Sequence, residues 1–390
     1  KDPMSGFFIF RKKIYYKNKI RLFNKGYKIL LDLIYSSKEN IKVADVFINF
    51  NVRKEGFSKM DLNIIYLVIV IILKKFINRI TNWDDYIMKI FLAGHKGLVG
   101  SAILRKLKQK NYKNIITADR KKLDLLNQKS VYKFLKKNKP DMVIIAAAKV
   151  GGVLDNYKYG ADFIYENLQI QNNLIYGSFL NKVKKLIFLG SSCIYPKNSK
   201  QPIKEDYLLN GKLEETNEPY ALAKIAGIKM CEAFNKQYNT NYLCLMPTNT
   251  YGPNDNYDLL KSHFFPALIR KAHECKLKNK KSIEVWGSGK PSRELIFVDD
   301  IADACIYFMK KKIKYSLLNI GTGKDMTIKK YVNFILKKLN LKVKVNFNKS
   351  RPDGVYRKVL DVKRAKQLGW KAKISLDEGF DITYRNFLKR

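Results

Sequence analysis

Three spaced glycines constrain the fold of this chain more than any other feature of its sequence. The apolar residues 89–94 (KIFLAG) lead into Gly94-x-x-Gly97-x-x-Gly100, and residues 95–110 then carry apolar side chains at helical spacing. Glycines between a strand and a helix permit a tight turn and let backbone N–H groups approach a pyrophosphate. We therefore predict a dinucleotide-binding loop, formed by Gly94, His95, Lys96, Gly97, Leu98, Val99 and Gly100.

Strand-like and helix-like segments then alternate along the chain. Apolar runs at 114–118, 141–148, 184–192 and 241–253 are separated by helical patterns, of which 162–183 is the longest. This alternation predicts an α/β fold of the Rossmann type, with a doubly wound parallel sheet whose ligands lie at the carboxyl ends of the strands. The pattern becomes irregular after residue 254. We expect a cofactor-binding core at about 88–254 and a smaller C-terminal substrate lobe, mostly at 255–390.

The end of the second predicted strand indicates which dinucleotide is bound. An acidic residue there favours NAD, and Asp119 is such a residue. An arginine there accommodates the additional phosphate of NADP, and Arg120 follows directly, with Lys96 available in the glycine loop. We predict NADP, used as NADPH.

A tyrosine and a lysine, Tyr220 and Lys224, stand four residues apart in a predicted helix and so share one face. A nearby ammonium lowers the pKa of a phenol, which would let Tyr220 exchange a proton near neutral pH. Ser191 lies at the end of an upstream strand and completes the set needed for hydride transfer. Cys193 lies two residues beyond this serine, and hydride transfer alone does not require a thiol.

Five segments resemble, in order, those of the GDP-L-fucose synthases, which are extended short-chain dehydrogenase/reductases. They are AAAKVGGV (146–153), LGSSCIYP (189–196), TNEPYALAKIAGIK (216–229), MPTNTYGPNDN (246–256) and VWGSGKPSRELIFVDD (285–300). The resemblance covers residues 88–390. It implies a substrate, GDP-4-keto-6-deoxy-D-mannose, that is inverted at carbons 3 and 5 and then reduced at carbon 4 with NADPH.

The resemblance also implies a role for the thiol and for other matched residues. Cys193 would be the base and His263 the acid of the inversions, while Ser191 and Tyr220 polarise the ketone. Lys224 would also hold the nicotinamide ribose. The implied cofactor contacts continue with Leu189, Gly190, Ser191, Ser192, Pro247, Thr248, Asn249, Thr250 and His263. The implied substrate contacts are Lys271, Trp286, Arg293 and Asp353, and Asn167 would support the central helix.

The first 80 residues form a separate segment. The stretches 2–8, 26–33 and 50–60 resemble the C-terminal part of the family-two polyprenyl-phosphate mannosyltransferases, with Ser5, Arg53 and Lys59 at the matched positions near a lipid phosphate. The half that would bind a sugar nucleotide is missing, so we expect an incomplete, inactive glycosyltransferase segment. Residues 81–87 read as a linker.

An apolar helix is predicted at 62–77 of this segment. Its mostly apolar part is shorter than the roughly 20 residues of a membrane span, and lysines follow it. A buried helix, an interfacial helix and a shortened membrane span all stay open, and the flanking lysines favour the interfacial helix, which would give peripheral contact with a membrane.

Composition limits the other partners. The formal charge is +42 over 390 residues, but the lysines are scattered without an aromatic-interleaved basic stripe, so we predict no nucleic-acid binding. The five cysteines form no Cys-x-x-Cys pair and no metal-spaced cluster, which favours reduced thiols, a cytoplasmic location and no metal site. The resemblance implies a homodimer formed through a four-helix interface.

Two other functions remain open. One is a sister NAD(P)-dependent sugar-nucleotide epimerase or dehydratase, although dehydratases usually carry a threonine and an Asp-Glu pair where this chain has SSCIYP. The other is a non-catalytic, membrane-associated fusion in which the first 80 residues dominate.

Overall fold

A computed structural model of the protein describes residues 88–351 and 353–390. The glycosyltransferase-like segment 1–80, its apolar helix 62–77 and the linker 81–87 lie outside the described residues and stay predictions.

The described elements alternate as the sequence predicts. In chain order the strands are β1 (Ile90–Ala93), β2 (Ile115–Ile116), β3 (Met142–Ile145), β4 (Lys185–Leu189), β5 (Tyr242–Pro247), β6 (Asn249–Tyr251), β7 (Ser282–Trp286), β8 (Ser292–Phe297), β9 (Leu317–Ile320), β10 (Asp325–Thr327), β11 (Lys344–Asn348) and β12 (Arg357–Lys358). The helices are α1 (Leu98–Gln109), α2 (Gln128–Asn138), α3 (Val153–Lys158), α4 (Gly160–Leu180), α5 (Glu218–Tyr238), α6 (Phe264–Leu277), α7 (Val298–Met309), α8 (Ile328–Lys338), α9 (Lys363–Gln367) and α10 (Leu376–Phe387).

The largest sheet has six strands in the order β2-β1-β3-β4-β5-β9, and every pairing in it is parallel. The chain leaves β1 for β2 on one side and returns to β3 on the other. The carboxyl ends of β1 and β3 therefore border the crevice in which such sheets bind dinucleotides. The predicted Rossmann-type parallel sheet is confirmed.

Alternate side chains of each central strand enter two different cores. In β1, Ile90 and Leu92 belong to the core beneath α1 and α7, whereas Phe91 and Ala93 belong to the core beneath α2, α4 and α5. All four are at most 1% exposed, because helices cover both faces of the sheet. The burial of both faces explains why these strands read as continuous apolar runs.

A third core builds the smaller lobe from α6, α8, α10 and strands of two small sheets, with Phe265, Phe297 and Phe380 at its centre. Strand β8 pairs with β10 in the antiparallel sense and with β12 and β6 in the parallel sense. Helix α7 and strand β9 return to the large sheet and its core. The region after residue 254 thus contributes to both lobes, and β8 lies where they meet.

Within the described ranges, no helix combines the length and the apolar character needed to cross a membrane.

Candidate active site

The glycine loop has the geometry of a pyrophosphate cradle. Gly94 has φ +87°, and a Cβ there would lie 2.5 Å from the backbone nitrogen of Ala147. A Cβ on Gly100 would lie 2.0 Å from the Gly94 carbonyl oxygen, so the helix can approach the strand this closely only without a side chain. No side chain caps α1 at Gly97. The first-turn amides of α1 can therefore face an anionic group, which fits a dinucleotide.

In the loop after β2, the acidic residue is hydrogen-bonded within the protein and the basic residue is exposed. Asp119 accepts hydrogen bonds from the Lys122 amide (3.1 Å) and from Lys96 Nζ (3.3 Å), and these two contacts lower the pKa of the Asp119 carboxyl. Arg120 is exposed at the turn. Because Asp119 is already bonded within the protein, Arg120 is the freer group for a ribose phosphate.

The Lys224 side chain connects α5 with the end of β4 through a hydrogen bond. Its side chain is only 3% exposed, and Nζ donates a hydrogen bond to the Leu189 carbonyl at 3.0 Å. The same nitrogen lies 5.7 Å from the ring centroid of Tyr220, one helical turn earlier. Burial lowers the pKa of Lys224 to about 8. The predicted tyrosine and lysine pair therefore lies together at the carboxyl edge of the sheet.

The pKa of Tyr220 shifts in the direction opposite to our expectation. Desolvation, with a smaller contribution from Cys193, raises the pKa of the half-buried phenol above its ordinary value. Lys224 cannot lower it, because an ammonium with a pKa of about 8 is uncharged where the phenol would ionise. Tyr220 thus keeps its proton and is suited to donate it.

Ser191 and Cys193 lie on the tight turn that follows β4. Ser191 is the N-cap of the 3₁₀ turn Ser192–Ile194, and its Oγ accepts the Cys193 amide hydrogen at 3.4 Å. Burial raises the pKa of the Cys193 thiol, against the lowering effects of Lys358, Ser191 and Lys224. The thiol therefore lies among the residues that would hold a ketone.

His263 is the N-cap residue of α6, and the preceding loop is anchored by the Gly152 amide, which donates to the Lys261 carbonyl at 2.9 Å. His263 is exposed to solvent at the start of the helix, and partial desolvation by nearby protein atoms, followed by the charge of Lys358, lowers the pKa of its imidazole. Lys358 interacts electrostatically with Cys193 as well as with His263. The two residues expected to act as base and acid therefore share one cationic neighbour.

The predicted cofactor residues after β5 are largely bonded to the protein. Thr248 Oγ1 and Asn249 Nδ2 donate to the Glu294 carbonyl at 3.3 and 3.0 Å, and Thr250 Oγ1 donates to the Thr248 carbonyl at 3.1 Å. These bonds fix the shape of the loop. Contact of Pro247 and its neighbours with a nicotinamide stays a prediction.

The predicted substrate residues form two groups. Lys271 Nζ lies 5.0 Å from the Trp286 ring, and Arg351, which sequence reasoning missed, lies 4.8 Å from the same ring. In the second group, Arg293 Nη2 donates to the Asp353 carbonyl at 3.4 Å.

The Asp353 carboxylate accepts bonds from the amide and the hydroxyl of Ser288, both at 2.6 Å, so it shapes its loop. Those two bonds lower the pKa of Asp353. Direct contact between Asp353 and a substrate stays a prediction.

Asn167 has a structural role in the chain. Its amide oxygen accepts from the Lys149 amide at 3.1 Å, and its Nδ2 donates to the carbonyls of Lys149 and Phe163. These bonds hold the loop after β3 against α4, in keeping with the expected support of the central helix.

Sequence reasoning also missed Glu294 and Lys358. The Glu294 side chain is fully buried in β8, where its carboxylate accepts the amides of Thr322, Gly323 and Leu360 at 2.6 to 2.7 Å. Lys358 lies in β12, opposite Arg293 of the paired strand β8. Glu294 falls within a quoted motif, but no periodicity or spacing in the sequence indicates Lys358.

A parallel dinucleotide-binding sheet with a serine after β4 and with a tyrosine and a lysine on α5 is the arrangement that the resemblance to the extended short-chain dehydrogenase/reductases implies. The chain belongs to the NAD dependent epimerase/dehydratase family, whose model matches residues 90–321.

The chain is similar to relatives whose names are more specific than that of the family. It is 49% identical over 300 residues to a GDP-L-fucose synthase of Sinorhizobium fredii, covering 77% of this chain and 95% of the relative. It is 48% identical over 310 residues to the GDP-L-fucose synthase of Escherichia coli, covering 77% and 97%. A solved GDP-mannoheptose C4 reductase from Campylobacter jejuni with NADP bound is 41% identical, with a TM-score of 0.72 over 77% of this chain and 98% of that one. The sequence-based resemblance to the GDP-L-fucose synthases is confirmed.

Proposed function

We propose that residues 88–390 form a GDP-L-fucose synthase, which inverts GDP-4-keto-6-deoxy-D-mannose at carbons 3 and 5 and reduces it at carbon 4 with NADPH. One observation carries the proposal: the Cys193 thiol lies on the Ser191 turn and interacts electrostatically with Tyr220 and Lys224. A simple ketone reductase needs no such group. The names of the Sinorhizobium fredii and Escherichia coli relatives support the same reaction.

The glycine loop and the first turn of α1 would hold the pyrophosphate of the dinucleotide, and Arg120 would pair with the phosphate that distinguishes NADP. Lys224 would bind the nicotinamide ribose from its position beside Leu189. Bound NADPH would supply the hydride for carbon 4.

Inversion requires a base and an acid on opposite faces of the sugar ring. The thiolate of Cys193 removes the proton from carbon 3 or carbon 5, and the electron pair of the broken C–H bond moves onto the C4 oxygen. Hydroxyl hydrogens of Ser191 and Tyr220 stabilise this enolate. His263 then gives a proton to the same carbon from the other face, and both residues regain their starting forms by exchange with water.

Reduction uses the same polarised ketone. The raised pKa of Tyr220 keeps its proton in place until the C4 oxygen becomes basic, when the phenol donates it. At the other end of the substrate, Trp286 and Lys271 offer a stacking surface with a cation, and Arg293 offers a planar fork for the diphosphate.

Cys193→Ser separates the two halves of the reaction. We expect NADPH oxidation with the 4-keto sugar nucleotide to persist, while deuterium incorporation from D₂O at carbons 3 and 5 falls by about 10²- to 10⁴-fold, because the base is lost. Absorbance of NADPH and mass spectrometry of the product measure the two processes. Cys275→Ser, which changes a buried thiol of the smaller lobe, is the matched control. Undiminished exchange in Cys193→Ser would refute the role of the thiol, and no turnover by the natural chain would refute the function.

We also propose that two copies pair through α4 and α5. The helices pack side by side, with Gln171 Nε2 donating to the Ala223 carbonyl at 2.5 Å, and their outer surface leaves Tyr165, Tyr176 and Leu222 exposed. The cysteines of the chain are all free thiols, which supports a reducing, cytoplasmic location. Membrane contact through residues 62–77 stays a prediction.

A further inference from the structure

The turn that carries the Cys193 thiol is anchored at both of its ends. At its start, the Gly190 amide donates to the Leu245 carbonyl at 3.0 Å, which continues the pairing of β4 with β5. At its end, the buried Tyr195 hydroxyl donates to Asn319 Oδ1 of β9 at 2.5 Å. Because the strand order is β4-β5-β9, the turn and the Tyr195 side chain together reach from β4 past β5 to the edge strand of the sheet.

Asn319 can hold this hydroxyl in one orientation only. Its side chain is fully buried, and Nδ2 donates to the carbonyls of Ile203 and Asp361 at 2.9 and 3.1 Å. A carbonyl oxygen only accepts hydrogen bonds, so the amide nitrogen must face these two carbonyls and Oδ1 must face Tyr195. The Tyr195 hydroxyl is therefore the donor of the bond. The backbone amide of Asn319 is also paired, since it donates to Glu205 Oε1 at 2.9 Å.

The segments that hold the Asn319 side chain are themselves bonded to each other. The Ile203 amide donates to the Val359 carbonyl at 2.8 Å, and the Asp361 amide donates to the Ile203 carbonyl at 2.8 Å. Asn319 is thus a fixed acceptor, because moving its amide would break bonds to two paired segments and leave buried polar groups without partners.

The two anchors control different residues of the turn. Ser191 directly follows Gly190, whose amide is bonded to β5, whereas Cys193 lies two residues before Tyr195 in the 3₁₀ turn. Loss of the Tyr195 bond should therefore leave Ser191 in place and loosen the thiol. In the proposed function Ser191 polarises the ketone in both reactions, while Cys193 acts only in the inversions.

We propose that Tyr195 and Asn319 are positioning residues for the inversions, whose buried hydrogen bond holds the Cys193 thiol in place for proton transfer. The proposal rests on the proposed function. Reduction at carbon 4 should depend much less on this bond, because it uses the end of the turn that β4 and β5 hold.

Tyr195→Phe tests the bond, because it removes the hydroxyl and keeps the ring. Deuterium incorporation at carbons 3 and 5 of the 4-keto sugar nucleotide is measured in D₂O without NADPH, and NADPH oxidation is measured with the same enzyme preparation. The ratio of exchange to reduction should fall by about three- to tenfold, which corresponds to the loss of one buried hydrogen bond. A variant that merely folds less completely would lower both rates and leave their ratio unchanged.

A second measurement does not depend on turnover. Iodoacetamide alkylation of Cys193 is followed by mass spectrometry of its peptide, with the buried Cys275 of the same molecule as the internal reference. Cys193 is only 9% exposed, so loosening the turn should raise its alkylation rate by about three- to tenfold relative to Cys275.

The matched control is Tyr307→Phe, which removes a hydroxyl that donates to the Leu368 carbonyl at 2.8 Å outside the site. It should change neither measurement. Asn319→Ala removes the acceptor of the same bond and should reproduce the shift in both measurements, which keeps the test available if Tyr195→Phe does not fold.

An unchanged ratio of exchange to reduction in the variants that lack the bond would overturn the proposal, and so would an unchanged alkylation rate of Cys193. If the natural chain catalyses neither exchange nor reduction, the proposed function fails. The alkylation rates then still decide whether the bond between Tyr195 and Asn319 holds the thiol in place.

Discussion

At the scale of single residues, burial decides more of the chemistry than residue type does. Tyr220 and Cys193 hold their protons more tightly and Lys224 loses its proton more readily, because desolvation favours the neutral form of each group. The charges of neighbouring groups oppose this effect of burial at some positions, as Lys358 does for the pKa of Cys193. Burial also lowers the pKa of Lys185, which lies outside the candidate active site.

Lys185 should make stability depend on pH. Its Nζ, at the start of β4, donates to the Phe308 carbonyl (2.5 Å) and to the Lys311 carbonyl, and burial lowers its pKa from 10.5 to about 8. Between these values the unfolded chain binds more protons, so this residue's contribution to stability grows as pH rises and is lost as pH falls through 8. Relative to Lys185→Met, the free energy of unfolding of the natural chain should rise by roughly 2–3 kcal/mol across that window.

Chemical denaturation at several pH values measures this difference. Lys184→Met is the control, because the exposed Lys184 pairs with Asp141 and lowers the pKa of that carboxyl, so its effect belongs to acidic pH. A difference curve between the natural chain and Lys185→Met that stays flat above pH 8 would contradict the assignment.

At the scale of elements, the strand–loop–helix unit at β1 and α1 depends on two close contacts that tolerate no side chain. A Cβ on Gly100 would lie 2.0 Å from the Gly94 carbonyl oxygen, whereas a Cβ on Gly97 would lie 3.6 Å from it, an ordinary van der Waals distance. Gly97 also has φ −73°, which alanine adopts without strain.

Gly100→Ala should therefore lower the melting temperature, with a loss on the order of 1–3 kcal/mol, because the helix must move off the strand. Gly97→Ala should fold normally and serves as the matched control. Thermal denaturation without added dinucleotide measures the effect, and NADPH fluorescence reports binding separately. Equal melting temperatures for the two variants would show that the helix can shift without cost.

At the scale of the whole molecule, the outer surface of α4 and α5 is the surface through which we propose that two copies pair. Leu222 is 43% exposed there, on the helix that carries Tyr220 and Lys224. Pairing would bury apolar surface and also brace the catalytic helix from outside.

Leu222→Glu should convert a dimer into a monomer, because two carboxylates would be buried against each other at a symmetric interface. Light scattering coupled to size exclusion measures the mass. Leu277→Glu, at a residue that is 69% exposed at the end of α6, should leave the mass unchanged. A natural chain that is already monomeric, or a dimer that survives Leu222→Glu, would refute this interface.

The sequence by itself determined the features that are local in the chain. The strand and helix alternation follows from periodicity and was confirmed as a parallel sheet. The glycine loop and the spacing of Tyr220 and Lys224 are also local features, and their roles in binding and catalysis stay predictions. The roles of Cys193 and His263 as base and acid came from the resemblance to a known family, because no rule of sequence spacing connects these two residues.

Only the tertiary structure decided what depends on burial and on pairing between distant segments. The β8–β12 pairing brings Lys358 beside Arg293 across 65 residues of sequence, and the Glu294 carboxylate joins two loops that have no common pattern, one at Thr322 and Gly323 and one at Leu360. The direction in which the pKa of Tyr220 moves likewise follows from desolvation, which no sequence spacing reveals. Such contacts form only when the chain folds, and their energies depend on how far folding removes water from the interacting groups.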